Sequence, residues 1–171
     1  MNEFNQKILS SKDQGIGRLI FNNPDRRNAM SLEMWKNTTR VLNEFDRDPE
    51  VRVIVLTGAG GKAFVSGADI SKFESERSSV EETLHYNETT TETTNALQNS
   101  SKPTIAMIRG FCMGGGLALS ICCDLRFCTS ESIFGLPAAK LGVGYGFEGI
   151  RRLAEITGPA YAREICFTGS R

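Results

Sequence analysis

The chain has 171 residues, 40% hydrophobic and 23% charged, enough for one globular domain with its own core. Lys plus Arg and Asp plus Glu each number 20, so no basic excess points to nucleic acid. No apolar run is long enough to span a bilayer, and the N-terminal MNEFNQKILSSKDQG lacks the apolar centre of a signal peptide.

The first segment reads as a β-hairpin: NQKILS, residues 5–10, then a turn over Lys12–Gly15, then GRLIFN, residues 17–22. Asn22-Asn23-Pro24-Asp25 breaks the second strand. Ser31 is placed to cap a helix over Leu32–Phe45, with Leu32, Trp35, Leu42 and Phe45 on one face. Asp48-Pro49 ends it. Val51–Leu56 is a β-branched run and reads as a buried strand. A glycine-rich loop, Thr57–Lys62, leads into Ala63–Ile70. Residues 71–100 are polar and threonine-rich; they read as helical with a mobile entry, able to cover a ligand. Pro103–Ile108 is another short strand, and Arg109–Met113 leads into Gly114-Gly115-Gly116. Leu117–Cys123 reads as a buried helix and Leu125–Cys128 as a strand. Pro137–Lys140, Glu148–Ile156 and Pro159–Phe167 carry helical patterns. Strand–loop–strand–helix units of this kind give an α/β fold whose loops feed one site. Phe167-Thr-Gly-Ser-Arg171 ends without a cap or a polar tail and reads as an interruption in a longer molecule.

Five cysteines, Cys112, Cys122, Cys123, Cys128 and Cys166, are odd in number, lie in apolar company and show no CxxC spacing. They read as reduced thiols of a cytoplasmic-type protein, with neither a disulfide framework nor a metal site. The one histidine, His85, sits in a polar stretch and reads as an exposed helix-face residue.

Met113-Gly114-Gly115-Gly116 opening an apolar helix carries the most chemistry. Glycines let a ligand approach the backbone, and the first-turn N–H groups are unpaired at the positive end of the helix dipole. A carbonyl oxygen gaining negative charge is stabilised there. The same glycines also suit a tight helix–strand contact, and the pattern alone does not separate the two. In Phe64-Val65-Ser66-Gly67-Ala68-Asp69-Ile70, Gly67 permits an unusual turn. Ala68 can then offer its N–H outward, and Asp69 reads as a capping carboxylate. Gly58–Ala63 has the wrong spacing for a phosphate-binding loop. Gly144–Gly149 matches GxGxxG but follows no buried strand, so no dinucleotide site is expected.

Four ordered segments resemble the crotonase, or enoyl-CoA hydratase/isomerase, superfamily. They are Asn22-Asn-Pro-Asp-Arg-Arg-Asn28-Ala29-Met30, Lys62-Ala-Phe-Val-Ser-Gly-Ala-Asp-Ile70, Gly110-Phe-Cys-Met-Gly-Gly-Gly116 with Cys123-Asp124, and Phe134-Gly-Leu-Pro137 through Leu141-Gly142 and Arg152-Leu153. The resemblance runs from about Ile16 to Gly169. It implies a spiral of ββα turns making two roughly perpendicular sheets wrapped by helices, spanning 1–171. It implies a bound acyl-CoA, with no cofactor beyond the coenzyme A of the substrate. The oxyanion donors would be the N–H groups of Ala68 and Gly115. Arg26, Arg27, Ala29, Ala63, Phe64, Ser66, Gly114, Pro137 and Ala138 would line the groove. In the family a C-terminal helical region that builds homotrimers or dimers of trimers would follow, and on this resemblance the 171 residues are expected to lack it.

The resemblance also exposes a departure. The positions of the two hydratase glutamates hold Ala118 and Ala138, and methyl groups cannot replace the acid and base that water addition needs. Glu148 is the nearest acidic candidate, with a first-turn structural role as the alternative. Tyr145 resembles a tyrosine of malonyl-type CoA decarboxylases, with simple packing as the alternative. Hydration, isomerisation, decarboxylation and silent acyl-CoA binding all remain open.

Overall fold

The structure, a computed structural model, describes residues 6–170; Asn5, which began the expected first strand, and Arg171 lie outside the described residues. The hairpin turn is tighter than expected. β1 (Ile8–Asp13) and β2 (Ile16–Phe21) pair antiparallel with Asp13 opposite Ile16, leaving only Gln14 and Gly15 between them. Both take positive φ, 50° and 84°, the primed-turn geometry whose twist suits paired strands.

β3 (Val53–Gly58), β5 (Thr104–Ile108) and β7 (Leu125–Cys128) continue in parallel, giving a five-stranded sheet of order β1-β2-β3-β5-β7. Gly17, Leu19 and Phe21 of β2 point inward, beside Ile54 and Leu56 of β3 and Thr104 and Ala106 of β5. The β-branched run therefore makes a half-buried strand rather than a fully buried one: Val53 and Val55 lie on the other, partly exposed face. It also starts two residues late, because Val51 belongs to the turn closed by its N–H on the Asp48 carbonyl.

β4 (Ala63–Val65), β6 (Phe111–Met113) and β8 (Ile133–Gly135) form a second, parallel sheet of three strands. Phe21 and Phe64 meet edge-on at 5.3 Å, joining the two sheets through the core. The chain passes repeatedly from large sheet to small sheet to helix, the ββα spiral that the resemblance implied.

α1 (Leu32–Arg47) starts as expected, with Ser31 Oγ accepting from Met34 N–H at 3.3 Å, and runs two residues past Phe45. α2 (Phe73–Glu76) is one turn, docked where the Glu76 carboxylate accepts from Leu32 N–H at 3.1 Å. α3 (Val80–Gln98) packs on α1 largely through hydroxyls: Thr39 and Thr93 meet at 2.8 Å, and Trp35 Nε1 donates to Tyr86 Oη at 3.0 Å. α4 (Gly115–Cys122), α5 (Phe147–Thr157) and α6 (Pro159–Thr168) complete the helical wall, in which α1, α3, α4 and α5 pack successively.

Candidate active site

β4 ends at Val65 and the chain turns at Gly67, whose φ of 111° would strain any side chain. Ala68 then bridges Met30 in parallel: Met30 N–H donates to the Gly67 carbonyl at 2.8 Å and Asp69 N–H to the Met30 carbonyl at 2.9 Å. In that pattern the Ala68 N–H points away from Met30, and among the described residues it donates to no acceptor.

Asn28 holds this loop in place. It is fully buried, with φ 57°, and all its amide groups are paired. Oδ1 accepts from Asn23 N–H at 2.9 Å; Nδ2 donates to the carbonyls of Ala59 at 3.0 Å and Ala63 at 2.7 Å. Ser66 N–H donates to the Arg27 carbonyl at 3.2 Å. Asp69 caps, as expected: its Oδ1 accepts from Ser71 N–H at 3.1 Å and Ser71 Oγ at 2.7 Å.

The second loop follows β6. Gly114 has φ 51° and ψ −112°, and its N–H donates to the Gly135 carbonyl at 2.9 Å. Gly115 opens α4, so its N–H precedes the helical ladder, whose first bond is Ala118 N–H to the Gly114 carbonyl at 3.0 Å. Gly116 answers to the packing reading: a Cβ there would lie 2.2 Å from the Val65 carbonyl oxygen. The other end of α4 is closed by arginines. Arg126 donates to the Ser120 carbonyl at 3.0 Å and Arg152 to the Ile121 carbonyl at 3.1 Å.

The two loops lie close together, with room between them for about one methyl group. A Cβ on Gly114 would lie 3.6 Å from Gly67 Cα, and one on Gly67 would lie 3.6 Å from the Met113 oxygen. Ala68 and Gly115 therefore each follow a glycine at one shared junction.

Of the two candidate side chains, Tyr145 reaches this junction: its hydroxyl donates to the Gly114 carbonyl at 3.4 Å. Burial pushes its pKa up, with Cys122, Cys166 and Tyr86 adding to the effect, so it is a neutral phenol at ordinary pH. The Cys122 thiol is likewise pushed up by burial. Glu148 faces solvent instead, its side chain 69% exposed and ion-paired with Arg151 at 2.8 Å, which matches the first-turn structural alternative. Ala118 and Ala138 are half-buried, and His85 is exposed on α3.

A cavity of about 250 Å³ is lined by Arg27, Ser66, Met113, Pro137 and Lys140 among others. It shares Arg27 and Phe111 with a basic cavity of about 560 Å³ that reaches Lys62 and Arg109. The Arg27 guanidinium lies 5.0 Å over the Phe111 ring. Three of the expected groove residues need correction. Ala29, Ala63 and Phe64 are buried in the core, so only their main chain can meet a ligand. Arg26 is drawn off to Ser71 Oγ at 2.9 Å and to Asp69 at 3.6 Å. Phe111, Met113 and Lys140 are not singled out as groove residues in the sequence: the first two sit on a three-residue strand too short to show a period, and Lys140 lies in a short segment read only as helical.

The chain belongs to the enoyl-CoA hydratase/isomerase family, whose profile matches residues 11–171. Among curated relatives, a short-chain-enoyl-CoA hydratase of Clostridium acetobutylicum is 35% identical over 97% of this chain and 62% of its own length. A peroxisomal Delta(3,5)-Delta(2,4)-dienoyl-CoA isomerase of Arabidopsis thaliana is 32% identical over 96% of this chain and 62% of its own. A putative enoyl-CoA hydratase/isomerase family protein from Hyphomonas neptunium superposes with TM-score 0.94 at 33% identity, over 98% of this chain and 64% of that one. The chain thus spans about 62% of the length of these curated relatives. Among the described residues no helix is long and apolar enough to cross a membrane.

Proposed function

We propose that the chain binds an acyl-CoA thioester and stabilises its enolate through the N–H groups of Ala68 and Gly115. The observation that carries this reading is the close approach of Gly67 and Gly114, which brings two main-chain donors without helix or sheet partners near one junction. The positive end of α4 adds to the pull on a developing negative oxygen. The names of the relatives bring hydration and double-bond isomerisation into consideration. Each needs a proton donor or acceptor at the carbon chain, and positions 118 and 138 offer none.

A second reading, decarboxylation of a malonyl-type CoA, is favoured by Tyr145. Loss of CO₂ leaves its bonding pair on the α-carbon and forms the enolate without a base. A neutral phenol beside the donors and two alanines nearby suit a departing carboxylate that must not be strongly solvated. Assembly as a homotrimer or a dimer of trimers belongs to the same proposal. Exposed Phe147, Tyr161 and Phe167 on α5 and α6 support a covered surface there.

The test follows substrate loss with crotonyl-CoA and with malonyl-CoA. Turnover of either supports enolate chemistry, and the substrate consumed selects the reaction. Binding without turnover of both leaves a silent acyl-CoA binder. Gly115→Pro removes the N–H at a helix position that tolerates proline, whereas Gly115→Ala keeps it with a similar Cβ. Proline should cost about 10²–10³ in rate relative to alanine; equal rates would remove this donor from the mechanism.

A further inference from the structure

Gly115 has no side chain, and the vacant direction is filled by Trp35. A Cβ on Gly115 would lie 2.9 Å from Trp35 Cζ2 and 3.4 Å from Cη2, so the six-membered ring of the indole rests against the first residue of α4. Trp35 is 3% exposed, on the buried face of α1. Its indole N–H donates to Tyr86 Oη on α3 at 3.0 Å, and its carbonyl accepts from Thr93 Oγ1 at 3.2 Å. The Tyr86 ring is covered in turn by the Arg77 guanidinium, 3.8 Å from its centroid. Contacts therefore run from α3, through a tethered indole, to the residue whose amide opens α4.

We infer that Trp35 is a positioning residue for the Gly115 N–H, and that its hydrogen bond to Tyr86 fixes that position. The inference rests on the reading of Ala68 and Gly115 as donors to a thioester oxygen. Such donors work within a narrow distance of the developing oxyanion, about 2.7–3.1 Å, and a shift of about 0.5 Å is felt. Hydrogen bonds hold Gly114, through its N–H to the Gly135 carbonyl and its carbonyl to Tyr145 Oη and Ala118 N–H, but Gly115 has no side chain and is supported sideways by packing alone. A large flat ring supplies that support only if it has one orientation. Packing limits the ring plane, and the Tyr86 oxygen fixes which edge faces Gly115.

The probe is acetoacetyl-CoA, whose enolate absorbs in the near ultraviolet apart from its keto form. Bound to the wild-type chain it should be enriched in enolate. Tyr86→Phe removes one oxygen and keeps the ring; Trp35→Phe removes the donor and part of the support. Both should bind free coenzyme A with unchanged Kd and lower the bound enolate-to-keto ratio about tenfold, a fraction of the ~10²–10³ that losing a donor costs. A merely structural role would lower the melting temperature and leave that ratio in the folded protein untouched. If Tyr86→Phe, the variant least able to unfold the chain, keeps the wild-type ratio, the tether has no positioning role. If the wild-type chain binds acetoacetyl-CoA without any enolate signal, the donor reading of Ala68 and Gly115 falls, and this inference with it.

Discussion

The loops after β4 and β6 end in the same way, a glycine of positive φ followed by an N–H outside the regular ladders, yet they are held by opposite means. The loop at Gly67–Ala68 is held by hydrogen bonds. Asn28, Ser66 and Met30 fasten it to the segment before α1, and all the amide atoms of Asn28 are used. The loop at Gly114–Gly115 is held mainly by shape, with Val65 against Gly116 and Trp35 against Gly115. Directional bonds fix a backbone through a few atoms and fail when one group is lost. Packing fixes it through many weak contacts and fails when volume is added.

The sharpest way to break that contrast is Asn28→Ala. It strips three hydrogen bonds of about 1 kcal/mol each from buried or part-buried partners and leaves alanine in a left-handed conformation costing about 1–2 kcal/mol more. The expected loss is about 3–5 kcal/mol, read from chemical denaturation. Asn28→Gly should recover roughly 1 kcal/mol of it by relieving φ alone. Should Asn28→Ala lose less than 1 kcal/mol, the first loop is not held by its hydrogen bonds.

The second loop answers to volume. Gly116→Ala forces a Cβ to 2.2 Å from the Val65 oxygen, a backbone atom that cannot give without moving β4. Overpacking of this kind costs about 1–3 kcal/mol. At about 2–4 °C per kcal/mol for a chain of this size, melting should fall measurably. Gly115→Ala should cost less, because its nearest approach is 2.9 Å to a side-chain atom of Trp35 rather than 2.2 Å to a backbone oxygen. A larger loss at Gly115 than at Gly116 would reverse the assignment of which glycine is for packing.

The same contrast explains what could be read from the chain. α1, α5 and α6 were legible because their faces alternate with helical period, and Ser31 announced its own cap. The small sheet was not legible from periodicity: strands of three residues, such as Phe111–Met113, are too short to show a period of two. α3 hid its buried side because two of its four buried residues, Thr89 and Thr93, are threonines. The glycine motifs placed both loops correctly, but motif position does not say where a side chain points. Phe64 lies inside the right motif and still points into the core, because β4 is covered on both faces. The pairing of Trp35 with Gly115 joins residues far apart in the chain and shows only in three dimensions.

The smallest expected effect is at Glu148, and it marks the edge of the site. A carboxylate in the first turn of a helix is favoured by the dipole, and one three residues from an arginine pairs with it; both terms are a few tenths of a kcal/mol at an exposed position. Glu148 has both features, with Arg151 2.8 Å away, and Arg151 also pairs with Glu155, so the arginine keeps an acidic partner when Glu148 is neutralised. Glu148→Gln should therefore change stability by less than about 0.5 kcal/mol. It should also leave turnover of whichever CoA thioester proves to be the substrate within about twofold, less than 0.5 kcal/mol of barrier. A loss of a hundredfold in rate with unchanged stability would mean that α5 swings its first turn inward when substrate binds, bringing to the junction the carboxylate that Ala118 and Ala138 do not supply.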